Sequence, residues 1–274
     1  MPPPAAVPHT NSVRPHHAAA TSRTRPGPQH YLSLPHATTI PTPTLDAVAH
    51  ALEQTLAEQA VMCLYGDAGC GKTYALATTL ACRPFHGPRI CSLSPHPAPT
   101  PTALRAELLS ALDISHAAGS DPGIQDALLR ARLAACEHVL VVDEAHRLTT
   151  GCIEYLCYLL DDPDTQMAIV LIVGTGGIRL LRRQQLLASR SAVWLQAVSL
   201  TPDQVCRAIP RFHPLWCDSR PAVLERLDAR FCHGNLRRWA QATHHALRLR
   251  RRIPAPETTV EDLVAAHLAH DDHE

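Results

Sequence analysis

The eight residues Gly66-Asp67-Ala68-Gly69-Cys70-Gly71-Lys72-Thr73 constrain this chain more than any other stretch. They match the pattern G-x-x-x-x-G-K-[ST] in full. A short apolar run, Val61–Tyr65, precedes them and reads as a buried strand; Thr73–Ala81 follows with a helical pattern. Glycines at this spacing allow a tight loop whose backbone N–H groups converge, and the helix behind it adds its positive N-terminal end. Such a loop is a cradle for phosphates. Lys72 is expected to reach the β- and γ-phosphates of ATP, and the Thr73 hydroxyl to bind Mg²⁺. Lys72 is also the chain's one lysine, every other residue in the Lys+Arg total of 25 being arginine. The ammonium persists at the position where a planar guanidinium is no equivalent.

About 70 residues further on, Val139-Leu140-Val141-Val142 runs straight into Asp143-Glu144. An unbroken aliphatic run marks a strand covered on both faces. An acidic residue at its end can hold the Mg²⁺ shell beside the loop, the role expected of Asp143. A second carboxylate beside it, Glu144, can orient and deprotonate an attacking water. Val170-Leu171-Ile172-Val173 is a further aliphatic run, stopped by Gly174 and followed by Thr175, whose hydroxyl is placed to meet the water or the γ-phosphate.

Further strands are expected at Arg89–Leu93 and Ala192–Leu195, and helices at Leu45–Gln59 with Thr44 as N-cap, Thr102–Leu112, Ile124–Ala135 and Cys152–Leu160. Strands alternating with helices predict a parallel sheet with helices on both faces. After Pro202 the alternation stops, and Pro202–Ile209, Pro221–Phe231, Asn235–Arg250 and Thr259–His270 all read as helices. The fold class is therefore α/β, a P-loop NTPase core followed by a small all-helical lid. The expected divisions are a Pro/His-rich disordered leader at 1–40, the core at 41–200 and the lid at 201–274.

Composition narrows the setting. The formal net charge is zero, so bulk charge does not declare a nucleic-acid or membrane-surface binder. No apolar run approaches the ~20 residues that span a bilayer. The amino-terminal stretch has no apolar segment of the signal-peptide kind, which makes a cytoplasmic location the expectation. The ten cysteines include no C-x-x-C pair, so zinc is not expected and buried thiols such as Cys63, Cys152 and Cys157 are read as reduced. His267, His270 and His273 are read as a solvated tail.

The order of P-loop, Asp-Glu strand, Thr strand and helical lid over roughly residues 41–270 resembles the AAA+ ATPases. Within them the chain is similar to a bacterial branch that holds the transposition helpers of the Mu B and TniB type and the ExeA-like secretion ATPases, on the stretch Asp143-Glu144-Ala145-His146-Arg147-Leu148. Asp143-Glu144-Ala145-His146 also spells a helicase label, but those helicases need two tandem cores and this chain is too short. The resemblance gives Thr175 the sensor 1 position. It matches Gly234-Asn235-Leu236-Arg237 to the sensor 2 motif, with Arg237 on the γ-phosphate, and sets Arg190 in Leu187-Ala188-Ser189-Arg190 where the family carries its arginine finger. Arg182 and Arg183 compete with Arg190, and Arg238 with Arg237. A finger acts on a neighbour's ATP, so a homo-oligomer is implied.

Three tasks follow from the resemblance. One is an ATP-dependent DNA-binding helper of a transposase or integrase, with Arg248, Arg250, Arg251 and Arg252 for phosphate contacts. The second is a signal-transduction NTPase that oligomerises on ATP, though those usually carry long repeat domains. The third is an ExeA-like secretion ATPase, which would normally need a membrane span. The DNA helper is the preferred expectation.

Overall fold

Three strands of this chain are buried on both faces. Their sequences, Val61–Gly66 (β1), His138–Val142 (β3) and Met167–Val173 (β4), are dominated by apolar residues and have burial to match. The computed structural model describes residues 31–82, 87–115 and 121–252. Arg89–Leu93 (β2) and Ser191–Ala197 (β5) complete a five-stranded sheet in the order β2-β3-β4-β1-β5, with every pairing parallel. β4 therefore lies between the P-loop strand and the Asp143 strand.

Alternate side chains feed two cores. Met62, Leu64, Val139, Val141, Val170 and Ile172 point to helices Pro43–Ala57 (α1) and Lys72–Ala81 (α2). Cys63, Leu140, Val142, Ile169, Leu171 and Val173 point the other way. There they meet Pro101–Ala111 (α3), Pro122–Ala134 (α4), Thr150–Leu160 (α5), Ile178–Arg182 (α6) and Gln185–Arg190 (α7). Each fully buried aliphatic side chain contributes about 1.5–3 kcal/mol of transfer free energy. The parallel P-loop NTPase sheet expected from the strand pattern is the one observed.

A third core belongs to the helices after residue 200: Pro202–Phe212 (α8), Pro221–Leu227 (α9) with a π turn at Asp228–Cys232, and Leu236–Arg252 (α10). Trp216 and Trp239 are fully buried and meet edge to face, centroids 5.5 Å apart. Both indole N–H groups are satisfied, Trp216 by Thr243 and Trp239 by Asp228.

The structure departs from the sequence reading in several places; α6 and α7, between β4 and β5, have no counterpart in that reading at all. Thr42, not Thr44, caps α1: Thr42 is extended, its hydroxyl accepts the Leu45 N–H, and Pro43 takes the first helical position, where it has no N–H to lose. Thr44 is buried within the helix. α8 continues through Pro210 to Phe212 instead of ending at Ile209, because Val205, Ala208, Ile209 and Phe212 all bury in the lid core. The segment before residue 41 is packed from Leu34 onward. Leu34 and Ile40 join the lid core, and Thr38 N–H donates to the Phe212 carbonyl at 2.8 Å. The expected helix at Thr259–His270 and the histidines His267, His270 and His273 lie outside the described residues. All ten cysteines are free, and burial pushes the Cys63 and Cys91 thiols up to about 12. Among the described residues no helix is long and apolar enough to cross a membrane, and no group of three or more His, Cys, Asp or Glu is placed to hold a metal.

Candidate nucleotide site

A cavity of about 540 Å³ opens where the C-terminal edge of the sheet meets the lid. In an open α/β sheet this edge is where ligands bind. β1 ends at Gly66, whose φ is +152° and whose hydrogen faces the Ala197 carbonyl; a Cβ there would stand 2.2 Å from that oxygen. The chain then loops through Asp67, Ala68, Gly69, Cys70 and Gly71, with Gly69 and Gly71 both at φ +87°, and enters α2 at Lys72 and Thr73. The N-terminus of α2 thus lines the cavity, its positive dipole end toward it.

Lys72 Nζ donates to the carbonyls of Gly66 and Asp67, each at 2.8 Å. Half-burial pulls the pKa of this ammonium down, against the acidic groups of Cys70, Asp143, Glu144 and Asp67 that hold it up. Thr73 Oγ1 donates to Asp143 Oδ2 at 3.1 Å, so two hard oxygens from α2 and the end of β3 stand together at the mouth of the loop. That donor set fits Mg²⁺, which keeps most of its waters and takes one or two protein oxygens beside substrate phosphates. Asp143 Oδ1 accepts the Glu144 N–H at 2.8 Å. Glu144 itself is left-handed, φ +53°, and its carboxylate lies 3.3 Å from His146 Nδ1.

Thr175 follows β4 and its hydroxyl donates to Asp67 Oδ1 at 2.5 Å, which brings the Thr strand to the loop. The lid supplies Arg237, in the first turn of α10, as part of the cavity wall. Arg238, its neighbour, instead donates to the Phe231 carbonyl within the lid. Arg190 ends α7 and forms a two-point ion pair with Asp161, 2.6 and 2.5 Å; the same hydrogen bonds hold the Asp161 carboxyl below the usual range. Arg182 is exposed and lies over the partly buried rings of Tyr65 and Trp194, and Arg183 is exposed.

Local sequence spacing misses the apolar end of the cavity. Ile40, Thr42 and Leu45 from the leader and α1 close it on one side, Ile209, Phe212 and Trp239 from the lid on the other. These residues come from separated segments, and no motif announces them.

Comparison with known proteins follows the same line. Residues 54–181 match a family model described as AAA domain. No curated protein matches the chain in sequence. Among solved structures, the Thermotoga maritima RuvB Holliday junction branch migration motor is 20% identical with a TM-score of 0.56, over 86% of this chain and 72% of that one. Cdc6p from Pyrobaculum aerophilum is 16% identical with a TM-score of 0.60, over 78% of this chain and 64% of that one. The Aeropyrum pernix ORC1 protein, solved in complex with DNA, is 20% identical with a TM-score of 0.59, over 85% and 66%. At these identities the likeness is one of fold.

Proposed function

We propose, starting from a chain whose residues 54–181 match an AAA domain on an AAA+ ATPase fold, that it is a Mg²⁺-dependent ATP hydrolase acting as a DNA-associated helper, of the kind that serves a transposase or integrase. ATP hydrolysis is the activity of the AAA domain. The observation that carries the chemistry is the meeting of Lys72, Thr73, Asp143 and Glu144 at one loop, joined by the Thr73–Asp143 bond.

The roles follow from positions. The loop from Gly66 to Gly71 presents backbone N–H groups to the phosphates, and Lys72 exchanges its two carbonyl partners for β- and γ-oxygens. Thr73 and Asp143 would hold Mg²⁺, which neutralises charge on those oxygens. Glu144 orients the attacking water and takes its proton. Thr175 steadies the water or the γ-phosphate from β4, and Arg237 approaches the γ-phosphate from the lid. Arg190 serves a neighbouring subunit in a homo-oligomer. Its pair with Asp161 is a part-exposed surface pair, worth about 0–1 kcal/mol, and does not bar its release.

Two things favour DNA as the macromolecular partner. The solved structures of similar fold include a Holliday junction motor and an ORC1 protein bound to DNA. Arg248, Arg250 and Arg251 are exposed at the end of α10, where cations also complement the helix dipole. ATP turnover with and without duplex DNA, at low and moderate salt, tests this. Salt-sensitive stimulation is expected, lost in a Lys72→Ala, Glu144→Gln double variant and weakened by replacing the arginines of the patch. Turnover indifferent to DNA would move the reading to a protein-recruiting switch.

A further inference from the structure

The lid grips the phosphate loop from outside, and one side chain makes most of the grip. Asn235 precedes α10. Its Nδ2 donates to the Ala68 carbonyl at 2.7 Å, while its Oδ1 accepts the backbone N–H groups of Arg237 at 3.0 Å and Arg238 at 3.2 Å. The Arg237 N–H also faces the Gly69 carbonyl, at 3.3 Å. The approach is close: a Cβ on Gly69 would lie 2.2 Å from Asn235 Oδ1. The turn is held against the hinge between β5 and α8. Leu200 N–H donates to the Gly234 carbonyl at 2.9 Å, and a Cβ on Gly234 would stand 2.0 Å from the Leu200 oxygen.

We propose that Asn235 is a positioning residue that sets the phosphate loop and Arg237 as a single unit. This rests on reading the loop as the phosphate site and Arg237 as the lid's contact to it. The argument is one of peptide geometry. In a trans peptide the C=O and the N–H point opposite ways. Anchoring the Ala68 carbonyl to Asn235 fixes the plane of that peptide, and with it the direction in which the Gly69 N–H points. The other half of the same amide caps α10 and so fixes where Arg237 starts. A lid that moves therefore carries loop and arginine together, and nucleotide on the loop is coupled to lid orientation through this amide.

The test separates the cap from the strut. Asn235→Ser keeps a neutral N-cap but is too short to reach Ala68; Asn235→Ala removes both. In the full chain, Asn235→Ser is expected to lower the unfolding midpoint less than Asn235→Ala does, to bind a fluorescent ATP analogue up to about tenfold more weakly, and to turn over more slowly. Asn235→Ala should lose both affinity and midpoint. In an Arg237→Ala background, Asn235→Ser should add nothing further to the loss of kcat, because the arginine it seats is gone. Wild-type affinity and turnover in Asn235→Ser would overturn the proposal, leaving Asn235 a helix cap only. If Arg237→Ala alone left turnover unchanged, the arginine's role would fail while the affinity loss in Asn235→Ser still reported the loop contact.

Discussion

At the scale of single residues, the acidic pair shows how one strand end makes two different carboxylates. Asp143 continues the line of β3 and is bound on both oxygens, by Thr73 and by the Glu144 N–H. Glu144 turns into the left-handed region at φ +53°, a conformation that non-glycine residues adopt at a cost of order 1–3 kcal/mol. The turn leaves its carboxylate exposed, with His146 as its near neighbour. A bound carboxylate suits holding an ion, and an exposed one suits a water. Glu144→Gln is therefore expected to keep nucleotide affinity within about twofold and to lower kcat by about 10²–10⁴, the usual worth of a general base. Binding of a fluorescent ATP analogue and steady-state turnover, measured on the same preparation, check it; a variant that hydrolysed at the wild-type rate would pass the role to another group. Gly66, Lys72, Thr73, Asp143 and Glu144 are legible in the sequence alone, because each sits in a contiguous motif whose spacing is fixed by the chemistry. The strut role of Asn235 is not. In the sequence it is one letter between a glycine and a leucine, and its partner Ala68 is 167 residues away.

Secondary-structure elements are legible in proportion to how far local pattern decides them. β1, β3 and β4 announce themselves because strands covered on both faces are near-continuous apolar runs. The cap of α1 is ambiguous by two residues, since Thr42 and Thr44 are equal by residue type and only the fit of Pro43 at the first helical position separates them. The packing of Leu34 and Ile40 is hidden, as two isolated apolar residues carry no period. β3 also carries a titration. His138 opens the strand, is 1% exposed, and its Nδ1 lies 2.6 Å from the Cys136 carbonyl. Burial lowers its pKa, aided by Arg132 and Arg89 and opposed by that carbonyl. The unfolded chain therefore takes up the proton first as pH falls. Stability should be flat with respect to this group above its ordinary value of about 6.5, and should decline below it by at most about 1.4 kcal/mol per pH unit. His213, also lowered by burial, adds in the same direction. Denaturant unfolding of wild type and His138→Gln between about pH 7.5 and 5.5 isolates the strand's share. The gap between the two curves should shift in favour of the variant as pH drops, and parallel curves would mean the folded imidazole is not depressed.

For the whole molecule, the decisive fact is where the arginines stand relative to the cavity. Arg237 lines it from the molecule's own lid. Arg190 is tied to Asp161 beside α5, and Arg182 lies over Tyr65 and Trp194 of its own chain. If Arg190 completes a neighbour's site, hydrolysis belongs to the junction between two subunits, and the two halves of that junction can be broken in different chains. Arg190→Ala keeps Lys72, Asp143 and Glu144 but offers no finger; Glu144→Gln offers a finger but cannot activate water. Each alone should bind ATP and fail to turn it over. Mixed one to one and allowed to exchange subunits, they rebuild a working junction wherever the site of an Arg190→Ala chain receives the finger of a Glu144→Gln neighbour. With random assembly through a head-to-tail interface that arises at about a quarter of the junctions, so about a quarter of wild-type turnover should return. Turnover of the mixture against total protein concentration measures it, with each variant alone as the baseline. Recovery that grows with concentration and then levels would assign the finger to the partner subunit. A mixture no more active than its parts, from variants that still assemble, would mean that Arg190 acts within its own chain and not on a neighbour's site.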